Sequence, residues 1–241
     1  MNTWQNMLFF IAMTMVEIFT VLSFILTMAR MSIPTYWREL AAVTLIQGYF
    51  HYWLWSIEPL HLYILILQLL LFMLYARFIF QMHWFSAVVL AGLCSFFYII
   101  MQIVAVYLCD VLGIVQAEHI NVRITKTTYI QQLLSASFTW LLIWICQRLK
   151  LGFTNIYGKT VFEGKPMQKW LLLGCMFIGN TISFIPLYNH LVKNKPKDMW
   201  LVVVVYAVLI VMLLVYFYRK EKERYKKQRQ AYLVRNYKKI E

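Results

Sequence analysis

One acid interrupts the first long apolar run of this 241-residue chain: Glu17, in Met-Val-Glu-Ile-Phe. If that run crosses a bilayer, the carboxylate sits near its middle, where an unaccompanied charge costs on the order of 3 kcal/mol or more. Such a group must be protonated, paired or open to water, which makes it a functional candidate by default. His51 falls at a comparable depth in the second apolar run, slightly towards the outside. A Glu17–His51 contact would relieve both groups and would respond to pH or to a ligand. The plain alternative is an interhelical hydrogen bond that only sets packing. Gln47, Gln68, Gln102, Gln131, Gln132 and Asn180 add amides to most of the other runs. These either glue helices together, at roughly 0.6–2 kcal/mol per bond, or line a polar cavity. Asn180, next to Gly179 and ahead of Pro186, falls where a kink would face an outer cavity.

Several chemistries lack their residues. The seventh run holds no Lys for a retinal Schiff base. No pair of membrane aspartates, GxSxG, HExxH or Walker motif occurs. His83 and Cys94 share a hairpin as an imaginable peptidase pair, but a thiolate is disfavoured in the apolar run around Cys94. Cys94, Cys109, Cys146 and Cys175 form no CxxC and no metal spacing, and read as small apolar helix residues. Neither a metal nor another cofactor is expected.

The elements that must position these groups follow from composition. The chain is 62% hydrophobic and 14% charged, against about 25% charged for a soluble domain. Lipid is therefore expected to solvate most of it. The fold expected is an all-α membrane protein of about seven transmembrane helices, the last continuing into a cytoplasmic helix. Spans are read at 7–29, 40–57, 60–80, 84–109, 128–147, 170–188 and 199–218, with the second, rich in Tyr and Trp, tilted or partly interfacial. The third and fourth are joined so tightly that they form an antiparallel hairpin. Ala87, Ala91 and Ser95 make a small-residue stripe for a close helix contact. Met1–Asn6 has no Lys or Arg and the run after it has full span length, so no cleavable leader is expected.

Net charge is +13, and the stretch Arg219–Glu241 supplies +7 of it. A basic cluster directly after a span reads as a cytoplasmic stop and an anionic-lipid contact rather than as a nucleic-acid site. With the tail inside, the inner connections carry eight Lys and Arg and the outer ones five, the outer loop Asn189–Asp198 running against the trend. Seven spans then place the N-terminus outside. The chain divides into a sensor-like membrane domain, 1–218, and a juxtamembrane helix, 219–241.

That helix contains no Gly or Pro, and Tyr218, Tyr225 and Tyr232 recur at sevens, followed by Leu233, Arg235, Tyr237 and Ile240. The seam suits either a solvated basic juxtamembrane helix or a homodimer that passes motion to a cytoplasmic output. Here the pattern RYxKQxQAYLVRNYKKIE, after a multi-span region, resembles the sensor region of peptide-pheromone receptor histidine kinases of the accessory-gene-regulator type, used in quorum sensing. In that family such a helix leads to a phosphoacceptor histidine. The chain ends at Glu241 before one and holds no kinase core, so kinase activity does not carry over. The resemblance implies a bacterial receptor half, binding an extracellular peptide at outer span ends and loops: Glu58–His61, Asp110–Thr127 and Tyr188–Asp198. Trp53, Trp55, Glu58 and His61 would contact it, with Glu17, His51 and Asn180 deeper. Signal would leave through Tyr218, Tyr225, Tyr232 and Arg235. The competing expectation is a small membrane transporter, or its substrate-binding subunit, with Glu17, His51 and the amides as solute site.

Overall fold

A computed structural model describes residues 3–57, 64–113, 126–149 and 151–152. Helix is the only regular structure among them. Helix α1 spans Thr3–Met28, α2 Trp37–Trp55, α3 Ile64–Leu74, α4 Trp84–Val111 and α5 Lys126–Arg148. Among the described residues, three segments are long and apolar enough to cross a membrane: Met7–Met28 in α1, Trp84–Cys109 in α4 and Tyr129–Arg148 in α5. They coincide within a few residues with the first, fourth and fifth expected spans. Helix α2 is not one of them, because Arg38, Glu39, Gln47 and His51 dilute its apolar content. Helix α3 enters a shorter apolar stretch, Ile66–Ile79. The expected sixth and seventh spans, and the tail, lie outside the described residues.

The helix ends show why the chain turns where it does. Helix α1 closes in a Schellman cap: the Arg30 N–H donates to Thr27 O and the Met31 N–H to Leu26 O, both at 2.9 Å. Arg30 takes a left-handed φ of 54° to do so. A 3₁₀ turn, Ile33–Tyr36, follows and carries Pro34 near its start, where a missing N–H costs nothing. Helix α3 unwinds into a π-helical segment, Tyr75–Ile79. Its exit repeats the left-handed device at Gln81, φ 54°, with Met82 N–H donating to Ala76 O at 3.0 Å. Arg77 seals this corner by donating to Met82 O at 2.8 Å and lying over Trp84. The expected hairpin of the third and fourth spans is therefore a four-residue corner, 80–83, between packed helices.

Helix α4 is the most enclosed of the three crossing segments, with α1, α3 and α5 packed around it. Ala87 and Ala91 are fully buried and Ser95 nearly so, as a close-packing stripe requires. Cys94, Cys109 and Cys146 are buried free thiols. Phe24 of α1 meets Phe97 of α4 edge-on at 5.7 Å, and Phe19 stacks on Trp140 of α5 at 6.2 Å. Helices α1 and α2 run antiparallel, since Gly48 lies against Ile11 and Met15 while His51 and Tyr52 lie against Phe10. Helix α5 also leaves Ile130, Leu133, Leu141 and Trp144 exposed, which water would penalise and hydrocarbon would not.

Candidate functional site

The polar groups of α1, α4 and α5 converge on Glu17. The Gln102 side-chain N–H donates to Glu17 Oε1 at 2.9 Å, and the Gln132 side-chain N–H donates to Oε2 at 3.3 Å. Both carboxylate oxygens thus accept from amides, each on a different helix. One turn further along α4 and α5, Tyr98 OH and Ser135 Oγ are 3.3 Å apart. Ser135 commits its one proton to the Gln132 carbonyl oxygen at 2.9 Å. Tyr98 is therefore the donor in the Tyr98–Ser135 pair. Gln102 also lies within hydrogen-bonding reach of the Tyr98 hydroxyl. Glu17, Gln102 and Gln132 are deep in the bundle, and each keeps some accessible surface.

Sequence spacing explains the convergence. Ser95, Tyr98 and Gln102 stand at i, i+3 and i+7 on α4, which places them on one face. Gln132, Ser135 and Thr139 repeat that spacing on α5. Each set forms a polar stripe along its helix, and the two stripes pair in antiparallel register. Tyr98 and Ser135 were not singled out from sequence as site residues, although this shared spacing marks them.

Electrostatically the node is unbalanced. Within Met7–Met28, Trp84–Cys109 and Tyr129–Arg148, Glu17 is the one acid and Arg148, the final residue, the one cation. Arg148 lies over the Trp144 ring at 5.5 Å, about 24 Å along α5 from Gln132. Neutral dipoles alone therefore face the carboxylate from α4 and α5. Among the described residues no three His, Cys, Asp or Glu come together, so a multivalent metal has no ligand set in them.

The expected Glu17–His51 contact does not form. His51 Nε2 accepts from the Trp55 indole N–H at 2.9 Å, and its ring packs against Phe10. The antiparallel register of α1 and α2 is the cause: Phe10 precedes Glu17 by seven residues, about 10 Å along the helix. Replacing His51 by Phe and Glu17 by Gln should accordingly give additive stability changes, within about 0.5 kcal/mol, in a double-mutant cycle. A larger coupling in detergent unfolding would restore the direct contact.

The remaining expected site residues divide in two. Trp53 is half exposed on the outer face of α2, stacked on Phe50 at 5.9 Å, and does not join the node. Trp55 serves His51. Glu58, His61, Asn180, Tyr218, Tyr225, Tyr232 and Arg235 lie outside the described residues. His83 and Cys94 are not brought together. His83 is exposed at the start of α4, its Nδ1 accepting from Phe85 N–H at 3.4 Å, whereas Cys94 is fully buried three turns on. Comparison of the chain with protein-family models, with curated proteins and with solved structures returns no match.

Proposed function

We propose that this chain is a multi-span membrane sensor in which the Glu17 node couples three helices and the basic C-terminal helix delivers the output. The observation that carries this reading is that one carboxylate accepts from amides on two other helices. A signal that removes one donor, or adds a proton, changes the attraction between α1, α4 and α5 at a single point. Packed helices answer such a change by moving between discrete arrangements. In this reading about seven spans place the N-terminus outside and Arg219–Glu241 in the cytoplasm. The signal is an extracellular peptide, and the chain acts as a homodimer through its last helix, against anionic lipid. The output is a histidine kinase or a comparable cytoplasmic partner.

The test uses the intact protein in its host cell, with conditioned culture medium as the source of signal. Deleting Arg224–Glu241 should abolish the transcriptional response. Glu17→Gln should shift the half-maximal dose about tenfold, equivalent to roughly 1.4 kcal/mol. A response that survives the deletion sinks the sensor reading.

A second reading, a small membrane transporter, draws on the accessible surface kept by Glu17, Gln102 and Gln132. One carboxylate among neutral amides suits a cationic solute. Uptake of an organic amine that needs Glu17 and ignores the tail deletion would favour it.

A further inference from the structure

Each of α1, α4 and α5 carries a buried polar atom with no hydrogen-bond partner on the stretch that packs around Glu17 or leads away from it: Ser23 Oγ on α1, Ser95 Oγ on α4 and Gln132 Oε1 on α5, and the buried Gln47 amide of α2 is likewise unpartnered. Their positions are related. Gln102 and Gln132 meet at Glu17, Tyr98 meets Ser135, and the same antiparallel register brings Ser95 level with Thr139. Glu17 beside Gln102 and Phe24 beside Phe97 put Ser23 and Ser95 at about the same level along the α1–α4 pair. Beyond them Gln147 N–H reaches Thr27 Oγ1 at 3.5 Å, at the end where α1 closes. Polar groups therefore form a seam from Glu17 to that end, about 15 Å long over the ten residues from Glu17 to Thr27. Along α1 the hydroxyls of Thr20, Ser23 and Thr27 follow Glu17 at intervals of three or four residues.

We propose that this seam holds a file of water molecules and is a proton path between Glu17 and the Met28 end of α1. Buried water takes about three hydrogen bonds from polar groups that lack other partners, and the three unpartnered atoms supply such groups on all three helices. Glu17 is the terminal acceptor because the described spanning segments offer it no nearby countercharge. A hydronium in the file gives its proton to a Glu17 oxygen, forming the carboxyl O–H and leaving water. The new O–H needs an acceptor. Turning the Gln132 amide over presents Oε1, so proton binding and amide reversal go together.

The groups that face Glu17 are otherwise neutral: Gln102 and Tyr98 from α4, and Gln132 and Ser135 from α5. Helix α2, packed against α1, carries buried Thr44 and Gln47, with His51 held by Trp55 and set against Phe10. Tyr98 is the one titratable neighbour among them. Arg30, Arg38, Glu39, Asp110, Lys126 and Arg148 sit at helix ends.

The inference stands on the node's geometry and not on sensing, so a transporter would give the same spectra. The test is infrared pH-difference spectroscopy of the whole chain in lipid nanodiscs. Acidification should raise a protonated-carboxyl band that Glu17→Gln removes. On transfer to deuterated buffer, that band should shift about tenfold more slowly in the Ser23→Ala, Ser95→Ala double variant, a barrier increase of about 1.4 kcal/mol. Ser137→Ala, on the exposed face of α5, should leave the rate unchanged. No Glu17-dependent band over the pH range the protein tolerates overturns the proposal, as does equal exchange in the double variant and the parent. Should the double variant fail to fold by circular dichroism, Tyr98→Phe carries the same prediction.

Discussion

Gln102→Met should destabilise the protein by about 2–3 kcal/mol, the range for removing a hydrogen bond from a buried charged group. Methionine nearly fills the glutamine's volume and adapts its shape, so little of that loss reflects a cavity. What disappears is the 2.9 Å donor to Glu17 Oε1, leaving the carboxylate with Gln132 alone. Neutral interhelical hydrogen bonds in membrane proteins average only ~0.6 kcal/mol. A cost well above that figure would therefore report the charge. Adding Glu17→Leu should recover most of the loss, because removing both partners of a buried pair is far cheaper than removing one. Reversible unfolding in mixed micelles, followed by circular dichroism, reads all four corners of the cycle. If Gln102→Met costs under ~0.5 kcal/mol and Glu17→Leu gives no relief, the node does not hold the helices together.

The second large effect is expected at Gly48, where α1 and α2 approach most closely. A Cβ built there would stand 2.9 Å from Met15 Cγ and 3.4 Å from the Ile11 carbonyl oxygen. Gly48→Ala should be nearly neutral. Met15 is flexible enough to move, and alanine gains up to ~1 kcal/mol of helix propensity over glycine. Gly48→Val is different, since its added methyls press towards the Ile11 backbone, which cannot retreat without moving the helix. A cost of about 2–3 kcal/mol follows from overpacking. Met15→Ala in the Gly48→Val background should return part of it. An equal cost for alanine and valine would mean that backbone entropy, and not the α1–α2 contact, governs this position.

Among the described residues, sequence patterns identified the three segments long and apolar enough to cross a membrane closely, because a membrane leaves few choices. Every backbone polar group must be satisfied within the helix, so a span becomes a long uninterrupted apolar run. Met7–Met28, Trp84–Cys109 and Tyr129–Arg148 announce themselves in this way. Glu17 was legible for the same reason, as the one acid in such a run. Its partners were not. His51 seemed the natural mate on charge and depth, but two facts of assembly exclude it. The α1–α2 register sets it against Phe10, and Trp55, one turn further on α2, already donates to its ring. Choosing Gln102 and Gln132 from six amides requires the relative rotation of α1, α4 and α5. That rotation is settled by contacts such as Phe24–Phe97 and Phe19–Trp140, which carry no distinctive signature in sequence. The π-helical segment before Phe80 was equally invisible, since its residues, Tyr-Ala-Arg-Phe-Ile, would also suit an ordinary helix.

The distance along the chain between Glu17 and its partners has a consequence for biogenesis. Gln102 follows Glu17 by 85 residues and Gln132 by 115. At a synthesis rate of about 5–20 residues per second, an 85-residue gap lasts about 4–17 s and a 115-residue gap about 6–23 s. Until Gln102 is made the Glu17 carboxylate has neither amide, and until Gln132 is made it has at most one. The nascent first helix must wait with a neutral carboxyl, or beside the insertion machinery, until α4 and then α5 arrive. Closure of the node is thus a late event in synthesis. A truncated product that stops before α5 leaves Glu17 incompletely satisfied, which gives the cell a chemical mark by which to tell a finished bundle from an abandoned one.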